Sequence, residues 1–265
     1  MSPDKPLCLI TGGSAGIGAA LALEFAKAGH ALVLAARREA HLEAMAREIA
    51  DGGRPHPIVI PADLSTPAGV AELETAIAAR GLEPAFIVNN AGFGLLGEAA
   101  KIDRDRQLAM IDLNVRALTD LSLRFLDSVK RQRGGILNVA SVAGFLPGPG
   151  MAVYHATKAY VLSFTEALHG ELAWQGVRVC ALCPGPVETE FFGVAGLPDD
   201  YFPEYFARSA ERVAREGYER FMAGHRVVVP GTPNRVMSLL PRFLPRGWML
   251  AMTQRRWRDA HRRSG

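Results

Sequence analysis

The chain has 265 residues, is 49% hydrophobic and carries a formal net charge of +3, which suits one sizeable α/β domain with its own core. The first five residues are polar and no apolar run reaches bilayer length, so neither a signal peptide nor a transmembrane helix is expected, and the expected setting is the cytoplasm. The charge is unevenly spread: residues 225–265 hold nine Arg and one Asp and carry +8, leaving −5 on residues 1–224.

Leu7 to Ile10 reads as a first strand running into Thr11-Gly12-Gly13-Ser14-Ala15-Gly16-Ile17-Gly18, which opens a helix reaching Ala28. Glycines at such a turn let backbone amides approach a pyrophosphate held at the helix N-terminus. Gly12, Ser14, Gly16, Ile17 and Gly18 are therefore candidate cofactor contacts, although a glycine turn alone also serves any tight strand-to-helix connection.

The second strand, Ala31 to Ala35, ends in Ala36-Arg37-Arg38 with no acid. A carboxylate at this point would bind a ribose 2′-hydroxyl; Arg37 instead suits a 2′-phosphate and Arg38 suits stacking on adenine, so NADP is expected over NAD. Both arginines would equally suit a solvated helix start. Strand-like runs follow at Ile58 to Ile60, Ala85 to Val88, Gly135 to Val139 and Val177 to Leu182. Asp63-Leu64 after the third is placed to meet adenine, and Asn89-Asn90-Ala91-Gly92 after the fourth to line the cofactor cleft.

Helix-length segments alternate with these strands: Ala40 to Ala50, Ala68 to Ala79, Arg104 to Val129 and Met151 to Trp174. The alternation predicts an α/β fold, a Rossmann-like doubly wound parallel sheet, over residues 1–230. Pro184 to Gly224 reads as an aromatic-rich insertion, set at about 185–224. After it, Val227 to Val229 adds a last strand and Thr232-Pro233 caps and opens a short helix, beginning a basic helical extension over 231–265. The three cysteines, Cys8, Cys180 and Cys183, cannot all pair within one chain; Cys180 and Cys183 have the spacing of half a zinc site, but with no second pair nearby they read as core residues and no metal is expected.

Tyr154 and Lys158 share one face of a helix, thirteen residues beyond Ser141. Bringing a phenol from ~10 to ~7 needs about 4 kcal/mol, which one positive charge at about 4 Å supplies at an effective dielectric of ~20. The same spacing also arises when a half-buried Tyr lies beside a solvated Lys.

Taken together, Thr11-Gly-x-x-x-Gly16-Ile-Gly18, Asp63, Asn89-Asn-Ala-Gly92, Asn114, Ser141, Tyr154-x-x-x-Lys158 and Pro184-Gly185 followed by Thr189 resemble the short-chain dehydrogenase/reductase superfamily over nearly the whole length. The resemblance implies that Tyr154 donates a proton to a carbonyl oxygen held by Ser141. It implies that Lys158 lowers the Tyr154 pKa and bonds the nicotinamide ribose, and that Asn114 holds a water continuing the proton path. The Pro184, Gly185, Val187 and Thr189 segment would contact the nicotinamide. Ala15 departs from relatives that carry a basic residue there, so the NADP expectation rests on Arg37. A homodimer or homotetramer through the helices starting near Arg104 and Met151 is likewise implied.

Substrate walls are expected from Phe93 to Leu96, from Phe145 to Met151, and from Phe191, Phe192, Val194, Leu197, Tyr201, Phe202, Tyr205 and Phe206, which suits a hydrophobic ketone, aldehyde or secondary alcohol. The tail, Arg235 to Leu250 and then Arg255-Arg256-Trp257-Arg258, alternates apolar and cationic residues and resembles that of the branch containing long-chain 3-oxoacyl reductases. It suits either a helix docked on the domain or peripheral contact of 236–265 with an anionic membrane surface. Nucleic-acid binding is not expected, because the charge is confined to one end without a reading motif. A nucleotide sensor or a scaffold on the same fold is the competing functional class.

Overall fold

The structure, a computed structural model, describes residues 6–198 and 202–264, without the side chains of residues 256 and 259–264. The expected strands form one parallel sheet. β1 (Leu7–Thr11), β2 (Ala31–Ala36), β3 (Ile58–Pro61), β4 (Pro84–Asn89), β5 (Gly135–Val139), β6 (Arg178–Leu182) and β7 (Val227–Val228) lie in the order β3-β2-β1-β4-β5-β6-β7. The order reverses between β1 and β4, the switch point at which open parallel sheets place a ligand crevice beyond the strand C-termini. β1, β4 and β5 are buried along their whole length, as continuous apolar runs covered on both faces must be.

The helices are α1 (Gly16–Lys27), α2 (Glu39–Asp51), α3 (Pro67–Ala78), α4 (Arg104–Ile111), α5 (Leu118–Arg124), α6 (Leu126–Arg131), α7 (Ala152–Leu172), α8 (Phe191–Ala195), α9 (Ala210–Met222), α10 (Thr232–Leu239) and α11 (Arg246–Ser264). On one side of the sheet Leu21 and Phe25 of α1, Leu42 of α2 and Phe221 of α9 pack on Ile10, Leu34 and Val88. On the other, Leu73 of α3, Leu121 of α5 and Leu168 of α7 pack on Leu9, Val33 and Ile136. Cys8, Cys180 and Cys183 are buried free thiols within this core.

The sequence pattern differs from the fold at three places. The single helix expected over Arg104 to Val129 is broken twice: Asp112–Ala117 is a π-helical turn, and Phe125 leaves helical geometry at φ −95° and ψ 4°. The wider π turn carries Asn114, whose side chain is engaged across to the β4 loop, a tertiary demand that hydrophobic periodicity does not encode. The second half of the segment read as an insertion is α9, capped by Ser209 and burying Val213, Ala214, Gly217 and Phe221, so it completes a helical layer. At the tail, Thr232 lies inside α10, and Gly231, at φ +86°, is the residue that turns the chain into it.

Candidate active site

The cleft, about 860 Å³, runs along the C-terminal ends of the strands. Its floor begins at the turn after β1. Gly12 sits at φ +65°, and a Cβ there would lie 2.7 Å from Asn90 Nδ2, so the backbone conformation and the close approach both require glycine. Asn90 Nδ2 donates to the carbonyls of Thr11 and Gly12 at 3.0 and 3.1 Å, and Thr11 Oγ1 accepts from the amides of Asn90 and Ala91 at 3.0 and 3.1 Å. The β4 loop and the glycine turn are thereby fixed as one unit.

Gly12, Ser14, Gly16, Ile17, Arg37, Arg38, Asp63, Leu64, Asn90, Ala91 and Gly92 all line this half of the cleft. Gly18 does not: it packs beneath the turn, where a Cβ would lie 2.1 Å from the Gly12 carbonyl oxygen. Asp63 accepts from Ser65 Oγ at 2.7 Å; that bond, with the Ser65 amide and the Arg37 charge, outweighs desolvation and holds its carboxyl below the ordinary value. Arg38 is engaged in the structure by Glu190, Nη2 to Oε2 at 2.7 Å, and Glu190 titrates low chiefly because of that bond.

The reactive-looking groups stand at the middle of the cleft. Ser141 follows β5, and its hydroxyl caps a short 3-10 turn by accepting from the Ala143 amide at 3.1 Å while donating to Pro184 O at 3.4 Å. Tyr154 and Lys158 project from the first turns of α7 and both line the cleft. The Tyr154 ring packs against Phe191 at 5.4 Å between centroids. Asn114 lies behind the wall rather than in it: Nδ2 donates to Phe93 O at 2.9 Å and to Thr157 Oγ1 at 3.2 Å, and Oδ1 accepts from the Phe93 amide at 3.1 Å. A Cβ on Gly92 would lie 2.8 Å from Asn114 Oδ1 and 3.7 Å from Lys158 Nζ, so the loop passes between these two side chains.

Burial works against the electrostatic expectation for Tyr154. Burial pushes its phenol up to about 12, the Ser141 hydroxyl opposing only in part. Lys158 is itself brought down to about 8 by burial, and its Nζ donates to Val139 O at 2.8 Å and lies 5.8 Å from the Tyr154 ring centroid. Helical spacing set the pair on one face, but the loss of hydration at the cleft wall outweighs an ammonium turned toward a backbone carbonyl.

Pro184, Gly185, Val187 and Thr189 line the far side, together with Pro186. Thr189 packs on the glycine turn, its Cγ2 within 3.0 Å of where a Gly16 Cβ would stand. Of the expected substrate walls, Phe93, Leu146, Met151, Phe191, Phe192, Val194, Leu197, Phe202, Tyr205 and Phe206 face the cleft. Leu95 and Leu96 instead belong to the cluster beneath it and Phe145 packs on α7, while Tyr201 lies outside the described residues.

The structure adds residues that the sequence reading missed: Glu190, His155, Asn234, Met237, Met252 and Thr253 all reach the cleft. His155 Nδ1 donates to Leu146 O at 2.8 Å, and burial lowers its pKa below the ordinary imidazole value. Adjacency to Tyr154 was the available signal for His155; for Met252 and Thr253, embedded in an arginine-rich tail, there was none. No helix among the described residues is long and apolar enough to cross a membrane.

The glycine turn, the open end of α1 and the cationic side chains after β2 suit a dinucleotide with its phosphates on the turn, a fit carried by the space that the absent Cβ atoms leave. Comparisons agree. The sequence model described as short chain dehydrogenase matches residues 6–196. The chain is 37% identical over 188 residues, covering 70% of it and 74% of the relative, to sulfoacetaldehyde reductase 2 of Chromohalobacter salexigens. Among solved structures, a short-chain dehydrogenase from Sphingobium yanoikuyae in complex with NADPH aligns at TM-score 0.80 and 34% identity, over 88% of this chain and 92% of that one. The bulky-bulky ketone specific alcohol dehydrogenase from Comamonas testosteroni aligns at 0.74 and 28%, over 91% and 95%. A family match over most of the chain and a parallel sheet wound in the same way make this protein an oxidoreductase of the short-chain dehydrogenase/reductase family.

Proposed function

We propose that the protein is an NADPH-dependent reductase of apolar ketones or aldehydes, working in reverse as an alcohol dehydrogenase. The observation that carries this reading is that Ser141 and Tyr154 stand where the glycine-and-arginine half of one continuous cleft meets its apolar half. Bound NADPH supplies the hydride. Arg37 and Arg38 hold the 2′-phosphate and adenine end, with no carboxylate after β2 to favour NAD. Glycine-turn amides and the Pro184 to Thr189 segment hold the remainder.

A phenol pushed up to about 12 keeps its proton at neutral pH, so Tyr154 stands loaded as an acid beside the carbonyl oxygen. Ser141 donates a hydrogen bond to the same oxygen, stabilising charge as it develops. As Tyr154 gives up its proton, the Lys158 ammonium supplies the compensating positive charge. Asn114 holds the β4 loop against α7 behind Lys158 and offers its remaining acceptor capacity to a water in the proton path.

The apolar half argues for the substrate class. Apart from Lys158, its described lining carries neither Lys nor Arg, and burial lowers the His155 pKa, so a sulfonate such as that named for the Chromohalobacter relative would lack a counter-charge. An NADPH-oxidation screen over ketones graded by chain length and ring size, repeated with NADH and with sulfoacetaldehyde, tests the reading. Preference for sulfoacetaldehyde, or for NADH, contradicts it; an unaltered rate in Tyr154→Phe supports the nucleotide-sensor class with some other source of turnover. Association of copies is supported by exposed Leu108, Ile111, Leu123 and Tyr160 on α4, the π turn's approach, α5 and α7.

A further inference from the structure

We propose that α11 is the outer wall of the substrate site and makes it a site for bulky, ring-sized apolar carbonyl compounds, an inference that rests on the reductase reading above. The matched family region ends at residue 196, so this wall is built by sequence beyond it. Met249, Met252, Thr253 and Trp257 recur at helical spacing on one face of α11. Met249 is 1% exposed and anchors the helix, while Met252 and Thr253 line the cleft.

Trp257 sets the position of the wall. Its ring lies on Gly150, where a Cβ would come within 2.2 Å of Cε3, and Gly150 at φ +81° is in a conformation that favours glycine in any case. Gly150 belongs to the loop that also supplies Gly148, Pro149 and Met151 to the cleft and enters α7 just before Tyr154. The tail is thus seated on the segment that leads directly to the proposed acid. Trp248 and Leu250 are 69% and 44% exposed, and Met252, at 42%, lines the cleft where it is still open to solvent.

The chemistry of the wall indicates its occupant. Met151, Met237 and Met252 bring three unbranched, polarizable side chains from α10, α11 and the Gly150 loop to one cavity. Such side chains repack around irregular ring systems and favour aromatic faces. A two-carbon or four-carbon carbonyl compound fills little of this space and leaves the methionine wall untouched.

The test compares wild type with Trp257→Ala on butanone and on the bicyclic ketone 2-tetralone, with NADPH affinity and thermal stability measured alongside. The expected result is a KM for 2-tetralone at least tenfold higher in Trp257→Ala, with kcat, the butanone parameters and the NADPH Kd within twofold. Equal changes for both ketones, or none, overturn the proposal. A second measurement does not depend on turnover: binding of Nile red, an uncharged apolar dye, should weaken at least fivefold in Trp257→Ala, and an unchanged Kd overturns the wall. If wild type reduces neither ketone the reductase reading fails, and the dye alone decides the wall. Should Trp257→Ala not fold, Met252→Asp, which sets a carboxylate in the wall, must weaken dye and 2-tetralone alike; retained affinity refutes the proposal.

Discussion

Arg38 at the end of β2 is joined to Glu190 at the start of α8, 152 residues away, by two hydrogen bonds of 2.7 and 3.3 Å. The pair ties the nucleotide end of the cleft to the segment bearing Phe191 and Phe192. Both side chains are well exposed, 44% and 56%, so the pair contributes about 0–1 kcal/mol, weak enough to yield to a stronger anion.

A 2′-phosphate held by Arg37 comes next to Arg38 and must approach the Glu190 carboxylate that Arg38 holds. Glu190→Gln is therefore expected to tighten NADPH binding by roughly two- to fivefold, about 1 kcal/mol at most, and to leave NADH unchanged. Arg37→Ala should weaken NADPH by roughly tenfold or more through loss of a charge-assisted bond, again sparing NADH. Fluorescence titration with both cofactors measures each effect; equal shifts for NADH and NADPH would remove Arg37 from phosphate recognition.

Tyr154→Phe keeps the ring that packs on Phe191 and removes only the proton donor. Turnover should fall by roughly 10²- to 10⁴-fold, while NADPH affinity and the thermal midpoint stay close to wild type. A stopped cofactor-binding signal instead of a stopped rate would assign Tyr154 to the binding of the nucleotide.

Burial lowers the folded-state pKa of Lys158 from 10.5 to about 8. Between those values the unfolded chain binds more protons than the folded one, so this group's contribution to stability rises with pH, and is at its lowest plateau below pH 8. Lys158→Met lacks the effect. Urea unfolding should show the wild-type stability gaining about 2 kcal/mol relative to Lys158→Met between pH 7 and 9.5. A difference independent of pH would mean that Lys158 is hydrated in the folded protein.

Leu123 is 54% exposed on α5, and exposed Tyr160 on α7, which stacks on Phe164 at 5.8 Å, shares a hydrogen bond of 3.0 Å with Thr119 of α5. A charge at the centre of an apolar interface is strongly disfavoured. Leu123→Glu should lower the mass seen by light scattering to that of one chain at micromolar concentration without unfolding it. An unchanged mass would remove α5 from any contact between copies.

The linear chain carried most of the frame. Six apolar runs, each bounded by a helix-length segment, foretold β1 to β6, because a parallel strand covered on both faces must be apolar along its length. The turn at Gly12 was legible because glycine is the cheap solution to positive φ, and Tyr154 with Lys158 because a helix converts a spacing of four into one face. Sequence by itself thus determined the sheet, the glycine turn and the side chains that line the cleft's middle. Only the tertiary structure decided how far those side chains are dehydrated, and so the pKa directions of Tyr154 and Lys158. It also decided the π turn that sets Asn114 behind the wall, the reach of Arg38 to Glu190, and the seating of Trp257 on Gly150. Each of these depends on which distant atoms share one small volume, and neither periodicity nor charge along the chain records that.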